Sequence, residues 1–223
     1  MFNNFTFIFY ITCTLFFCKC TLFHEINNRN IRSKEQTLNK VKDTLDFGLY
    51  WFNTLNKSQS GFDISSNTNL NVSLNYYDDQ KPTIIYFHGS QKNSCTNNYF
   101  REDFTFNNIN GDVINTAKIW KNRGWNVGIF YWNQFADEDY IVNAETKIWT
   151  NTSEVQMRYR LSDSSYSKKH MPNKSVGKIA FEQIVKCLKN NTSNNIRFVG
   201  HSIGAQLACY TACLLYTSDA ADD

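Results

Sequence analysis

Apolar residues recur along the chain with two periods, and their alternation predicts an order of elements. Thr83-Ile84-Ile85-Tyr86-Phe87 is an unbroken β-prone run, the pattern of a strand covered on both faces. Trp125 to Trp132 is a second mostly apolar strand, and Ile196-Arg197-Phe198-Val199 is a short third one. Between the first two, Val113, Ile114, Ala117 and Trp120 form a helical face that stops at Arg123-Gly124, where glycine suits the position just past a helix. Between the second and third, Val176, Ile179, Ala180, Gln183, Ile184, Cys187 and Leu188 make an amphipathic helix. Ala205 to Ala212 reads as another helix, rich in small residues. Upstream, residues 33–57 place Leu38, Val41, Leu45 and Leu49 at helical spacing. Residues 58–69 are Ser/Asn/Gly-rich and predict a loop. Leu70 to Tyr76 alternates apolar and polar, as a half-buried strand does, and Asp78 to Pro82 is a turn. Residues 89–110 and 133–172 are polar and irregular. Strand, helix, buried strand, helix, buried strand, helix predicts an α/β fold with a mostly parallel sheet.

The two ends differ from this middle. The first 18 residues carry no charge, and Phe5 to Phe17 is almost wholly apolar. That reads as the core of a secretory signal peptide over residues 1–20, with small side chains around Cys18-Lys19-Cys20 for cleavage. The stretch is marginal in length for crossing a bilayer as an anchor. At the other end, residues 213–223 contain no Asn, Lys, Ile or Phe. Cys213-Leu214-Leu215-Tyr216-Thr217-Ser218-Asp219-Ala220-Ala221-Asp222 matches the conceptual translation of a transposon-type sequencing adapter. The sequence therefore predicts four regions: a leader (1–20), a helical decoration and loop (21–69), an α/β core (70–212) that is incomplete at its C-terminus, and an adapter-derived tail (213–223).

Composition narrows the function classes. Hydrophobic residues make up 42% and charged residues 19%, which excludes a disordered or fibrous chain. Net charge is only +3 with the basic residues scattered, so neither a nucleic-acid site nor any other polyanion site is expected. The 29 Asn residues make the six N-x-[ST] sequons beyond the leader a weak signal of secretion. Outside the ends, Cys95, Cys187 and Cys209 remain, an odd number that points to a disulfide partner elsewhere or to isolated thiols. Asp137-Glu138-Asp139 lacks the spacing of a calcium loop, and no Cys/His cluster suggests zinc, so no metal or other cofactor is expected. With Arg158, Arg160 and Lys168-Lys169-His170, these acids read either as a solvated loop or as an insert covering a pocket.

Gly200-His201-Ser202-Ile203-Gly204 has the form G-x-S-x-G. A serine on a sharp strand-to-helix turn projects its hydroxyl clear of the backbone, and close packing there excludes side chains two residues before and after. The helix that starts at the turn offers unpaired N–H groups to developing negative charge. Chance would supply roughly 0.03 such motifs in a chain of this glycine and serine content. Here a β-prone run precedes the motif and small residues follow it. His88-Gly89-Ser90 stands directly after the strand Thr83–Phe87.

These pieces resemble the α/β-hydrolase fold, and within it the neutral lipases of the pancreatic-lipase type. Those carry an apolar strand ending in His-Gly, a later strand ending near an aromatic and Trp, and then the serine elbow. The counterparts here are Ile84 to Gly89, Val127 to Trp132 and Gly200 to Gln206, so the resemblance spans residues 70–212. It implies an α/β-hydrolase-type sandwich and a secreted serine hydrolase cleaving carboxylic esters, lipids above all. Ser202 would be the nucleophile, and the backbone N–H groups of Ile203 and of Ser90 or Gly89 would form the oxyanion hole. Gly200, His201 and Gly204 would be structural parts of the elbow, as would His88 beyond it. The expected partner is a small-molecule or lipid ester, with contact to a lipid interface and no nucleic acid. The family order places an Asp or Glu and then a His after the serine. No His follows Ser202, and the only later acids are Asp219, Asp222 and Asp223. Truncation would explain both absences, and the fragment alone is expected to be inactive. The alternative is a non-catalytic secreted binding protein on the same scaffold.

Overall fold

The structure, a computed structural model, describes residues 44–219 apart from 65 and 194. The expected leader over 1–20, the first part of the helix expected over 33–57, and residues 220–223 lie outside the described residues. In chain order the strands and helices are β1 (Gly48–Phe52), β2 (Ser58–Ser60), β3 (Phe62–Asp63), β4 (Thr68–Asn69), β5 (Thr83–Phe87), β6 (Thr105–Asn107), β7 (Val113–Asn115), α1 (Thr116–Asn122), β8 (Asn126–Tyr131), α2 (Asn133–Ala136), α3 (Ile141–Trp149), β9 (Tyr159–Arg160), β10 (Tyr166–Ser167), α4 (Val176–Cys187), β11 (Ile196–Gly200) and α5 (Ile203–Asp219). Among them no helix is long and apolar enough to cross a membrane.

Helices and strands combine around one mixed sheet of 5 strands in the order β11-β5-β8-β1-β2. β11, β5 and β8 run parallel, in the register Gly200↔Phe87↔Phe130. β1 runs antiparallel to both of its neighbours, β8 and β2. The mostly parallel sheet expected from the sequence is thus parallel over three strands only. Alternation along the strands separates two apolar layers. Leu49, Trp51, Ile85, Phe87 and Phe130 face a core closed by Ala144 and Ile148 of α3, Ile179, Ala180 and Ile184 of α4, and Ile203, Leu207 and Ala208 of α5. Ile84, Val127, Ile129 and Tyr131 face the other way, onto Ala117 and Trp120 of α1.

Several expectations are corrected. Residues 48–52 form not a helix but β1, bonded between β8 and β2. The spacing of Leu45 and Leu49 imitates a helical stripe, but Leu49 and Trp51 are buried on one face of the sheet and Phe52 on the other. The α/β core therefore begins before residue 70, and the 58–69 loop contains β2, β3 and β4. Residues 70–76 have no strand partner; Leu70 is 42% and Leu74 74% exposed, and both Tyr76 N–H and Tyr77 N–H donate to the Ser73 carbonyl in a turn. Val113 and Ile114 pair with Phe106 and Asn107 in a hairpin of β6 and β7, so α1 starts later, with the Asn115 side chain accepting from Lys118 N–H. Residues 133–172 are neither a solvated loop nor irregular throughout, since they contain α2, α3 and the β9–β10 hairpin.

Topology positions the site. The connection leaving β5 leads to α1 on one face, whereas the connection leaving β11 leads to α5 on the other. Neighbouring parallel strands whose exits part in this way leave a crevice at their carboxyl ends, where open α/β sheets hold ligands. Here that crevice falls between Gly89-Ser90, after β5, and Ser202, after β11.

Candidate active site

β11 ends at Gly200 and α5 starts at Ile203, so only His201 and Ser202 make the turn. His201 N–H donates to Phe87 O at 3.1 Å, which extends the parallel ladder by one bond. Gly204 N–H then donates to His201 O and Ala205 N–H to Ser202 O, both at 2.9 Å, closing the first turn of the helix. This tightness forces Ser202 into the left-handed region at φ 55°, at a cost of about 1–2 kcal/mol for a residue with a Cβ. The serine side chain is exposed, while Ile203 beside it is buried in the core.

The flanking glycines are required by distance. A Cβ on Gly204 would stand 2.2 Å from Phe87 O and 2.4 Å from His88 O, and one on Gly200 2.4 Å from the Ala205 Cα. α5 therefore lies directly against the end of β5, backbone to backbone. Gly89 meets the elbow from the other side: its Cβ would be 2.9 Å from both the Ser202 Cβ and His201 O. The structure thus brings Gly89 and Ser202 together. No described group accepts a hydrogen bond from the N–H of Gly89, Ser90 or Ile203. Gly89 stands against the serine and Ile203 follows it at the start of α5, an end that favours negative charge.

His88 is fully committed to structure. Its Nδ1 bonds Gly89 O at 2.9 Å, and its Nε2 accepts from Trp132 N–H at 3.0 Å. Accepting at Nε2 fixes the proton on Nδ1. Trp132 Nε1–H donates to His88 O, and the two rings stack 5.6 Å apart. Burial, offset partly by Glu102 and the Gly89 carbonyl, pushes the His88 pKa down to about 4, so the ring stays neutral. The histidine ties the ends of β5 and β8 together and has no nitrogen left to serve as a base. His201 is exposed, and no hydrogen bond links it to Ser202 among the described residues.

Behind the crevice lies what the sequence did not reveal. Asp137, Glu138 and Arg160 are buried rather than solvated. Glu138 receives Lys147 Nζ at 2.6 Å, Arg158 Nη2 at 2.6 Å and Nε at 2.9 Å, and the Tyr166 hydroxyl at 2.9 Å. Burial alone would raise the Glu138 pKa, but these donors overcome it and hold the carboxyl at about 2. Asp137 accepts from Asn93 N–H at 2.8 Å and Cys95 N–H at 2.9 Å. Ala136 O receives Gln91 N–H and the Ser90 hydroxyl. The acidic triplet is visible in the sequence as a charge run, but Asp137 is bonded by main-chain groups far upstream and Glu138 by side chains downstream, which no spacing rule exposes.

Cys95, Cys187, Cys209 and Cys213 are unpaired, and burial pushes the Cys95 and Cys187 thiols up to about 12. Among the described residues no group of three His, Cys, Asp or Glu side chains could hold a metal ion. A cavity of about 960 Å³ opens elsewhere, between Phe47, Phe62, Tyr159, Tyr166 and Gln183, and includes no residue of the elbow. Comparison with family models, with curated proteins and with solved structures finds no match for this chain.

Proposed function

We propose that this chain carries the nucleophile and oxyanion-binding part of a secreted serine hydrolase with an α/β-hydrolase, lipase-like architecture, acting on carboxylic esters. The observation that carries the reading is the exposed Ser202, held at φ 55° between β11 and α5 with Gly89 against it; the N–H groups of Ile203 and of Ser90 (or Gly89) are the proposed oxyanion donors. In the proposed reaction the Ser202 Oγ attacks the ester carbonyl carbon and gives its proton to a base. The carbonyl oxygen becomes an oxyanion and accepts the two N–H groups. Collapse of this intermediate breaks the C–O bond, the alcohol leaves with a proton, and an acyl-enzyme remains for water to hydrolyse. The base and its acidic partner are not assigned to His88, whose nitrogens are engaged, or to His201. Lipids are favoured as substrates because Tyr140, Ile141 and Val142, three consecutive apolar side chains just past the Ala136–Asp137 anchor, are exposed.

The test uses the protein expressed from its natural transcript. A fluorophosphonate probe is expected to label Ser202, identified by peptide mass, and Ser202→Ala is expected to abolish both labelling and ester hydrolysis. An unlabelled Ser202, or full hydrolysis by Ser202→Ala, sinks the reading. A second reading, a non-catalytic secreted binding protein on the same scaffold, is favoured by one observation: no described histidine is hydrogen-bonded to Ser202. It predicts saturable binding of a lipid ester by a protein whose Ser202 never reacts. Secretion is tested separately, by finding the protein in the medium with its N-terminus cut near Cys20.

A further inference from the structure

We infer that Asp137 is a positioning residue for the oxyanion-binding loop: from the end of α2 its buried carboxylate holds the chain that presents the Ser90 N–H to the carbonyl oxygen at Ser202. The inference rests on the serine-hydrolase reading above and concerns how that site keeps its shape.

The chain leaving β5 is the less constrained half of the oxyanion pair. The Ile203 amide is fixed by α5, whereas Gly89 and Ser90 belong to no regular element. After them the chain turns through Asn93 at φ 66° and, further on, Asn98 at φ 55° and Tyr99 at φ 50°. Left-handed conformations at residues with a Cβ persist only where surrounding contacts impose them. Those contacts come from two adjacent residues at the end of α2. Ala136 O takes the Ser90 hydroxyl at 3.4 Å and Gln91 N–H at 3.3 Å. The Asp137 carboxylate takes Asn93 N–H on Oδ1 and Cys95 N–H on Oδ2. Four donors between residues 90 and 95 therefore converge on two neighbouring acceptor residues. The carboxylate bonds are the short, charge-assisted ones and are the stronger pair.

Asp137 is itself held in place. Its N–H donates to Asn133 O at 2.8 Å, and its carbonyl receives Arg160 Nε at 3.2 Å. Arg160 Nε also stands 3.7 Å from Asp137 Oδ1, while its Nη2 binds Asp139 at 2.8 Å and its Nη1 binds Ser164 O. The side chain is completely buried, so no water replaces a lost bond cheaply. A neutral amide at position 137 keeps one acceptor for one of the two N–H groups and points an NH2 at the other. The loop then loosens at Asn93 or Cys95, and the Ser90 amide moves away from the oxyanion position while the rest of the crevice keeps its form.

The test is Asp137→Asn in the protein expressed from its natural transcript. A positioning role acts on the transition state, because the N–H bond strengthens as the oxygen becomes anionic. The expected result is a kcat lower by about 10- to 100-fold with KM within about threefold, and a parallel fall in the rate of fluorophosphonate labelling. Hydrogen exchange is expected to show loss of protection at the Asn93 and Cys95 amides. Unchanged kcat in Asp137→Asn, with wild-type Ser202 reactive, overturns the inference and leaves the hydrolase reading standing. An unreactive wild-type Ser202 overturns that reading, and the positioning role falls with it. If Asp137→Asn does not fold, exchange on the wild-type protein decides: Asn93 and Cys95 amides that exchange as fast as those of their neighbours Lys92 and Thr96 overturn the inference.

Discussion

Removing one charge at a time from the buried Glu138 cluster gives an ordered set of stability losses. Glu138 and Lys147 are both fully buried and meet at 2.6 Å. Lys147 also donates to Phe135 O at 3.0 Å and Arg158 O at 2.7 Å, so its three protons are all used. Glu138→Gln leaves the ammonium in the interior with two carbonyls and no counter-ion of its own. Breaking a buried pair from one side costs about 3–5 kcal/mol. Lys147→Met leaves the carboxylate with Arg158 and Tyr166 but strands the two carbonyls, and the expected cost is smaller, about 2–3 kcal/mol. The double variant contains neither the stranded ammonium nor the lysine that stranding requires, so its loss should fall short of the sum by about 1.5 kcal/mol or more. Urea unfolding measures all four proteins, with a constant m-value as the control that only stability changed. The same donors make the stability acid-sensitive. The folded carboxyl titrates at about 2 against 4.5 for a free Glu, so its contribution is complete above about pH 4.5 and disappears as the pH falls through 2. Additive losses, or a Glu138→Gln variant within about 1 kcal/mol of wild type, would refute the structural account of this cluster.

Three further outcomes follow from the site. Ser202→Gly relieves the left-handed strain that Ser202→Ala keeps, so the glycine variant should be the more stable of the two by about 1 kcal/mol in urea unfolding, with both inert to fluorophosphonate. Gly204→Ala places a methyl 2.2 Å from Phe87 O, which α5 accommodates only by moving off β5; a loss of about 1–3 kcal/mol is expected in thermal unfolding, with Ser202 labelling abolished. His88 titrates at about 4 when folded and 6.5 when free, so the unfolded chain takes up this proton first. The His88 contribution is therefore complete above about pH 6.5 and falls by about 3 kcal/mol as the pH drops to 4, a slope that His88→Gln should remove from the pH–stability curve.

The legible parts of the fold are those whose pattern is local. β5, β8, α4 and β11 stand within a residue or two of where their apolar runs put them, because each run carries its own period over consecutive residues and nothing competes with it. The sequence of β1 imitates a helix because Leu45 and Leu49 fit a four-residue spacing. What decides it is the edge of β8, which supplies hydrogen bonds to Gly48–Trp51 from a strand far downstream in the chain. α3 is not legible in the sequence because its buried Lys147 has the look of a surface charge, although Glu138 and two carbonyls surround it. The candidate site divides in the same way. The elbow is a single short stretch, and its glycines announce the crowding. The approach of Gly89 was expected only through the family resemblance, since it depends on β5 and β11 being neighbours. Asp137 was visible only as part of an acidic triplet, because its partners are amides that every residue type carries.

The choice between a catalyst and a binding scaffold turns on Ser202 itself. A binding protein needs the crevice and its two free amides, and glycine at position 202 would serve that need without the left-handed penalty. The chain instead carries a side chain at φ 55° and places it in the open. It also keeps Gly200, Gly89 and Gly204 where any Cβ would collide, and so gives up backbone entropy at three positions to bring α5 and the β5 loop against that one residue. Strain maintained at an exposed hydroxyl, with hydrogen-bond donors left unpaired beside it, has a ready physical rationale when the hydroxyl reacts. The comparison of Ser202→Gly with Ser202→Ala therefore reaches beyond stability. If glycine gives no gain, the turn is unstrained and the geometric case for a nucleophile weakens; if it stabilises while abolishing labelling, the cost of the serine is measured against the chemistry it performs.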